Sequence, residues 1–250
     1  MAVAKKRLFV IFSVLTCVLL ISLSVTAIFA WRKADFATTI NFEYSYEEQE
    51  YIFEETASGA LILTGLGPAY QGNELEVPSQ NSQKAVVGIS DNAFLNNQTI
   101  TTVIIPKSVT SIGEYAFAGC ENLTSVTVED NAELTEISYA AFQSCSNLQT
   151  VDFGANSKLE TIGAHAFCEN SSLTEIVIPA SVTNISELAF NGCDNLTSVT
   201  FSNSNGWFVA NSSTATSGTN LTASDLTNVA TTATYLKSTY VNKYWINSST

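Results

Sequence analysis

The sequence predicts an α+β solenoid, a stack of short units with a parallel β ladder along one side and short helical turns returning along the other. Three observations predict it. Ala-Phe pairs recur five times, with phenylalanines at Phe94, Phe117, Phe142, Phe167 and Phe190, spaced by 23, 25, 25 and 23 residues. An Ile precedes each pair (Ile89, Ile112, Ile137, Ile162, Ile185), and a Leu follows six residues after the Phe in most units (Leu123, Leu148, Leu173, Leu196), with Ile100 serving in the first. Three residues further on, a β-branched residue opens a strand pattern: Val103-Ile104-Ile105, Val126-Thr127-Val128, Val151-Asp152-Phe153, Ile176-Val177-Ile178 and Val199-Thr200-Phe201. A unit of 23–25 residues cannot bury its apolar side alone, whereas stacked units share one continuous core.

Each element follows from this period. In the strand stretch the alternation has period two, so Leu123, Val126 and Val128 point inward while Ser125, Thr127 and Glu129 point out. Strands of neighbouring units then pair about 4.8 Å apart in a parallel ladder. The Ile-x-x-x-Ala-Phe stretch returns as a short helical turn, with Phe plugging the core and Ala permitting close approach. Pro78, Pro106 and Pro179 each follow a strand, where the ring presets φ for a turn. The two 25-residue units carry Asp130-Asn131 and Ala155-Asn156 there, a different turn chemistry.

The run Leu123-Thr124-Ser125-Val126-Thr127-Val128, followed by Leu134-Thr135-Glu136-Ile137, Ala141-Phe142 and Cys145-Ser146-Asn147-Leu148, resembles the BspA-like subgroup of leucine-rich repeat proteins. The resemblance covers roughly residues 60–205. It implies a right-handed leucine-rich repeat solenoid with the parallel ladder on a concave face. It also implies a surface or secreted protein of a host-associated microbe, several family members resembling adhesins.

The ends read differently. Lys5, Lys6 and Arg7 precede an uncharged run from Leu8 to Ala30, whose 23 residues at about 1.5 Å each reach about 34 Å, enough to cross a bilayer core. Positive charge on the N-terminal flank places the rest of the chain outside the cytoplasm. Residues 1–33 therefore read as a signal anchor or a cleaved signal peptide, and the residue before Cys17 is wrong for a lipidation box. Residues 34–73 read as an N-terminal β cap: Ile40–Tyr44, Tyr51–Phe53 and Ala60–Leu63 are strand-prone. Residues 74–209 form the solenoid, about five repeats plus a terminal half repeat, beginning with a degenerate unit at Leu75-Glu76-Val77. Residues 210–250 open as a Ser/Thr/Asn-rich loop and close on a cap, a short helix being expected from Leu226, Val229, Ala233, Leu236, Tyr240 and Tyr244. With no second apolar segment or sorting motif, segment 8–30 is the expected membrane attachment.

The formal net charge is −13. Five of the ten basic residues (Lys5, Lys6, Arg7, Arg32, Lys33) lie in the first 33 and no acid does, so the other five face all 23 acids, a net of −18. A surface this acidic repels phosphate backbones and anionic lipid headgroups, which excludes nucleic acid as a partner.

Candidate chemistry is sparse. Cys120, Cys145 and Cys193 each lie three residues after a repeat Phe, and Cys168 lies one residue after Phe167. Adjacent rungs bring Cys120 and Cys145 within disulfide range, but a position that repeats suits a small buried thiol that stays reduced. His165, the only histidine, occupies a position held elsewhere by Asn92, Tyr115, Ala140 and Leu188, and no nucleophile or orienting carboxylate accompanies it. No cofactor, metal or catalytic group is implied. Glu129, Asp152 and Glu175 are expected on the outward side of three successive strands, and Ile104, Val177, Thr127 and Thr200 share that face. These seven are the candidate binding residues. Sequons at Asn97, Asn122, Asn170, Asn184, Asn195, Asn211, Asn220 and Asn247 matter only where exported proteins are glycosylated.

The expected function is an extracytoplasmic binding protein, an adhesin or receptor for a protein or glycan ligand. Two alternatives stand beside it: a structural or antigenic envelope protein without a specific ligand, and, remotely, an envelope hydrolase using the acidic stripe.

Overall fold

The computed structural model describes residues 50–248; the apolar segment 8–30 and the strand-prone stretch 40–44 lie outside the described residues. Each repeat contributes two strands, so the stack carries two parallel ladders. One ladder, the longer in that its strands in the central repeats run to three or four residues against two, consists of β3 (Glu74–Glu76), β6 (Thr102–Ile105), β8 (Ser125–Val128), β10 (Thr150–Asp152), β12 (Glu175–Ile178) and β14 (Ser198–Phe201). The others are β2 (Leu61–Leu66), β5 (Lys84–Ile89), β7 (Ser111–Ile112), β9 (Glu136–Ile137), β11 (Thr161–Ile162) and β13 (Asn184–Ile185). Equivalent residues pair: Val103 with Val126 and Val126 with Val151 on one side, Ile112 with Ile137 and Ile137 with Ile162 on the other. Their side chains meet in one core between the ladders.

The solenoid and its parallel ladder are as the period predicts. The return segments differ: they are linked tight turns, and the α-helices lie in the C-terminal cap. The reason is backbone geometry. Asn92, Tyr115, Ala140, His165 and Leu188 (φ 52–61°), and four residues on Asn96, Gly119, Ser144, Glu169 and Gly192 (φ 57–73°), are left-handed. A helix cannot propagate through two such residues per turn. In the first four units their N–H groups and that of the Phe midway between them bond to the next rung instead, as from Phe94 to Ala116 O at 2.7 Å, Phe117 to Ala141 O at 2.7 Å and Phe142 to Ala166 O at 2.9 Å. This stacking holds the five phenylalanines face to face, with centroids 4.9–5.5 Å apart and planes within 16°.

The four cysteines of the described residues are free. The Cys120, Cys145 and Cys193 thiols each donate to the carbonyl of the preceding rung's phenylalanine (Phe94, Phe117, Phe167) at 3.1–3.2 Å, which accounts for a thiol repeating there rather than a disulfide. Burial pushes the Cys120 and Cys193 thiols up to about 12, and raises Cys145, with Cys120 beside it adding to the effect. The two extra residues of the longer units sit in the corner after β8 and β10. There Asn131 and Asn156 are left-handed, Asn156 Nδ2 donates to Asn131 Oδ1, and Asp130 Oδ1 accepts from the Ala155 N–H at 2.7 Å.

Each end carries added structure. At the N-terminal end β1 (Tyr51–Glu55) closes a hairpin on β2, and β4 (Gln80–Asn81) folds back on β5. At the other end β15 (Trp207–Ala210), fully buried, sits between β16 (Thr219–Asn220) and β17 (Tyr244–Asn247), and β17 runs antiparallel along β13. Helices α1 (Ala223–Thr227) and α2 (Val229–Thr234) pack over β14, and α2 runs on into a wide turn at Tyr235–Thr239. The expected C-terminal helix is therefore shorter than its apolar spacing suggests, and Tyr244 lies on a strand. Asn228 breaks it, its extended backbone ending α1 while its side chain accepts from the Thr231 N–H to start α2.

Candidate binding face

The outward side of the longer ladder presents equivalent positions in two paired runs, one on each side of the β10–β12 junction. Glu76 pairs with Ile104, Ile104 with Thr127, Thr127 with Asp152, and Val177 with Thr200. All six side chains are exposed, since each alternates with a buried neighbour on a pleated strand. Ile104 is 40% exposed and Val177 54%, among the largest exposures of any bulky apolar residue described. Five of the seven residues expected from sequence thus hold equivalent outward positions, Ile104, Thr127 and Asp152 in one paired run and Val177 and Thr200 in the next.

Glu129 and Glu175 do not join them. Glu175 pairs with Ser198, one outward position back along the strand, whereas Glu129 lies just past the end of β8. The three acids are staggered diagonally and form no compact carboxylate site. Glu129 is also engaged locally: its Oε2 accepts from the Lys107 N–H at 3.1 Å. Among the described residues no group of three or more His, Cys, Asp or Glu side chains is placed to hold a metal ion. His165 packs its ring on Tyr139, 5.4 Å away, in a row continued by Tyr115.

Sequence reasoning missed Glu76. Leu75-Glu76-Val77 was legible as a degenerate unit, but it stands 28 residues before Ile104 rather than 23 or 25, so spacing alone hid its register. Pairing of β3 with β6 restores it.

Two recesses open on this face. One, of about 380 Å³, is lined by Glu76 and Ile104 together with Tyr51, Pro106 and Glu129. The other, of about 460 Å³, is lined by Asp152 and Val177 with Val151, Ser181 and Ser202. The second coincides with a split in the longer ladder, which divides into β3–β6–β8–β10 and β12–β14 while the shorter ladder continues unbroken. At the split Phe153 turns edge-on to Phe167 at 6.4 Å, and Val151 is only half-buried where Val103, Val126, Ile176 and Val199 are buried.

A BspA-type leucine-rich repeat region, in six copies, matches residues 87–215. The chain belongs to the BspA-type leucine-rich repeat family. Its solved relatives include the leucine-rich repeat protein of T. pallidum, 32% identical with a TM-score of 0.55, over 60% of this chain and 68% of that one. A leucine-rich repeat protein of Bacteroides ovatus is 28% identical with a TM-score of 0.51, over 60% of this chain and 39% of that one. A leucine-rich cell surface protein of Faecalibacterium prausnitzii is 24% identical with a TM-score of 0.40, over 63% and 54%. No curated protein matches the chain. A BspA-type repeat array fits a protein-interaction role, and the row of exposed residues is where its fold presents side chains in register.

Proposed function

We propose that the protein is a surface-displayed adhesin-type module that binds a protein partner outside the cell through the outward face of its longer ladder, held to the membrane by segment 8–30. The observation that carries this reading is the exposure of Ile104 and Val177 at equivalent outward positions of a strand face, with a recess beside each. Solvent-facing positions on a regular ladder are free to carry Ser or Thr, as Thr127 and Thr200 show, and the bulky apolar side chains beside these recesses support reading the face as a contact surface. The uncharged run after Lys5, Lys6 and Arg7, and the family membership, support an extracytoplasmic location.

The test is a pull-down of host matrix proteins and intact cells with the full chain in mild detergent, beside an Ile104→Ser/Val177→Ser variant and a Thr127→Arg variant. Loss of capture in both variants, with unchanged far-UV circular dichroism, is the expected result. Capture that survives both would move binding to the loops or the C-terminal cap.

A further inference from the structure

The six-residue row has an internal repeat. Read from the N-terminal end it runs Glu76, Ile104, Thr127, then Asp152, Val177, Thr200: acid, apolar, threonine, twice over. Each acid shares a recess with the apolar residue that follows it, Glu76 with Ile104 and Asp152 with Val177. Rungs stacked about 4.8 Å apart put Glu76 and Asp152, which are joined by continuous strand pairing, three rungs, or about 14 Å, apart.

The charge on this face is of one sign. Strands β3, β6, β8, β10, β12 and β14 carry Glu74, Glu76, Asp152 and Glu175 and no lysine or arginine. The ion pairs among the described residues, Lys84 with Glu55 and Lys158 with Glu133, lie off it. A second copy of the chain would bring a face of the same negative sign against this one, so self-association through it is disfavoured. A basic partner is the complement.

Spacing selects the partner's conformation. An extended chain advances about 3.4 Å per residue, so four residues cover about 14 Å and return the side chain to the same face. A helix covers about 11 Å in two turns and about 16 Å in three, and falls out of step with a 14 Å repeat. We propose that the face takes an extended basic segment lying along the solenoid axis, with Lys or Arg at positions i and i+4 against Glu76 and Asp152. Apolar side chains at i+2 and i+6 then meet Ile104 and Val177. This rests on the strand-face reading and adds the chemistry and register of what binds there.

Three fluorescent peptides test it by anisotropy against the full chain. The first, Lys-Ser-Leu-Ser-Lys-Ser-Leu-Ser, is in register; the second, Lys-Ser-Leu-Lys-Ser-Ser-Leu-Ser, has the same composition with the lysines three apart; the third replaces both lysines of the first with glutamate. The in-register peptide should bind about tenfold tighter than the shifted one, and the acidic one should not bind. Glu76→Gln/Asp152→Asn should lose about tenfold for the first peptide and flatten its salt dependence. Asp152 Oδ1 accepts from the Gly154 N–H at 2.9 Å, and the amide oxygen that Asp152→Asn introduces can accept the same bond, so the strand end is kept. Equal binding of the first two peptides, or an unchanged double variant, overturns the proposal. If no peptide binds while Thr127→Arg still abolishes capture of matrix proteins, the basic register falls and the strand-face reading stands. If Thr127→Arg leaves capture intact, both fall.

Discussion

Asn170 shows how strictly the repeat constrains single positions. It lies three residues after Phe167, where Cys120, Cys145 and Cys193 follow their own phenylalanines and donate to the rung before. Its side chain is fully buried, and neither Oδ1 nor Nδ2 has a hydrogen-bond partner. In the first unit Asn97 holds the same position but is half-buried, and its Oδ1 accepts from the Thr99 and Ile100 N–H groups. An unpaired buried amide costs about 1–3 kcal/mol. Asn170→Cys, whose thiol would face the Phe142 carbonyl, should therefore stabilise the protein by about 1 kcal/mol, read as a higher urea midpoint; a lower midpoint would show that the amide fits better than a thiol. Buried as it is, the Asn170 sequon is also closed to glycosylation in the folded chain. The thiols themselves set a pH dependence. Folded, Cys120 and Cys193 titrate at about 12; unfolded thiols titrate at about 8.5. Their contribution to stability is complete below about pH 8.5 and is lost as pH rises toward the folded values, because the unfolded chain releases protons that the folded chain keeps. The urea midpoint should fall between pH 8 and pH 10, and a flat profile across that window would contradict the buried-thiol account.

At the scale of elements, the first strand of the longer ladder is an open edge, and it is guarded. Its outward-facing Glu74 and Glu76 carbonyls accept from the Tyr70 and Tyr51 hydroxyls at 2.8 and 3.2 Å, and its exposed side chains are the two glutamates. Unpaired strand edges template further pairing, and hydroxyl donors with like charges suppress it. Tyr51→Phe/Tyr70→Phe should lower stability by about 1 kcal/mol in urea denaturation, whereas an unchanged midpoint would show that water replaces the hydroxyls at no cost. The first cap helix depends on local chemistry. The Thr222 side chain accepts from the Asp225 N–H, and the Asp225 carboxylate accepts from the Thr222 N–H and hydroxyl, which holds Asp225 below the usual carboxylate range.

For the whole molecule, stability is a sum over rungs and their interfaces, so an uncovered end is the weakest point. The C-terminal segment covers two ladders at once. Helix α2 lies over β14, β17 lies along β13, and the Leu188 N–H, which in earlier units bonds to the next rung, is taken by the Val241 carbonyl at 2.6 Å. Trp207, Leu226, Leu236 and Trp245 are buried there. A chain ending at Ser202 should lose cooperative thermal unfolding and bind a hydrophobic dye; a truncated chain melting at the parent's midpoint would show that the last rung needs no cover. The acidity of residues 34–250, a net of −18, belongs to this scale too, and the proposed binding of a basic partner should weaken as salt rises.

The period of the Ala-Phe pairs, the alternation in the strand stretch and the turn residues determined the solenoid, its parallel ladder and which side chains face out, because each depends on spacing along one unit. Of the seven expected face residues, five hold equivalent register positions, and Glu175 lies on the same exposed face one outward position back. Tertiary structure decided what depends on neighbouring rungs. Paired left-handed residues bond across rungs and replace a helix with turns, which apolar spacing does not reveal. Strand pairing placed Glu76 in the row despite its irregular spacing, and moved Glu129 and Glu175 out of it. The split between β10 and β12 likewise concerns how one rung meets the next, a fact that belongs to no single repeat.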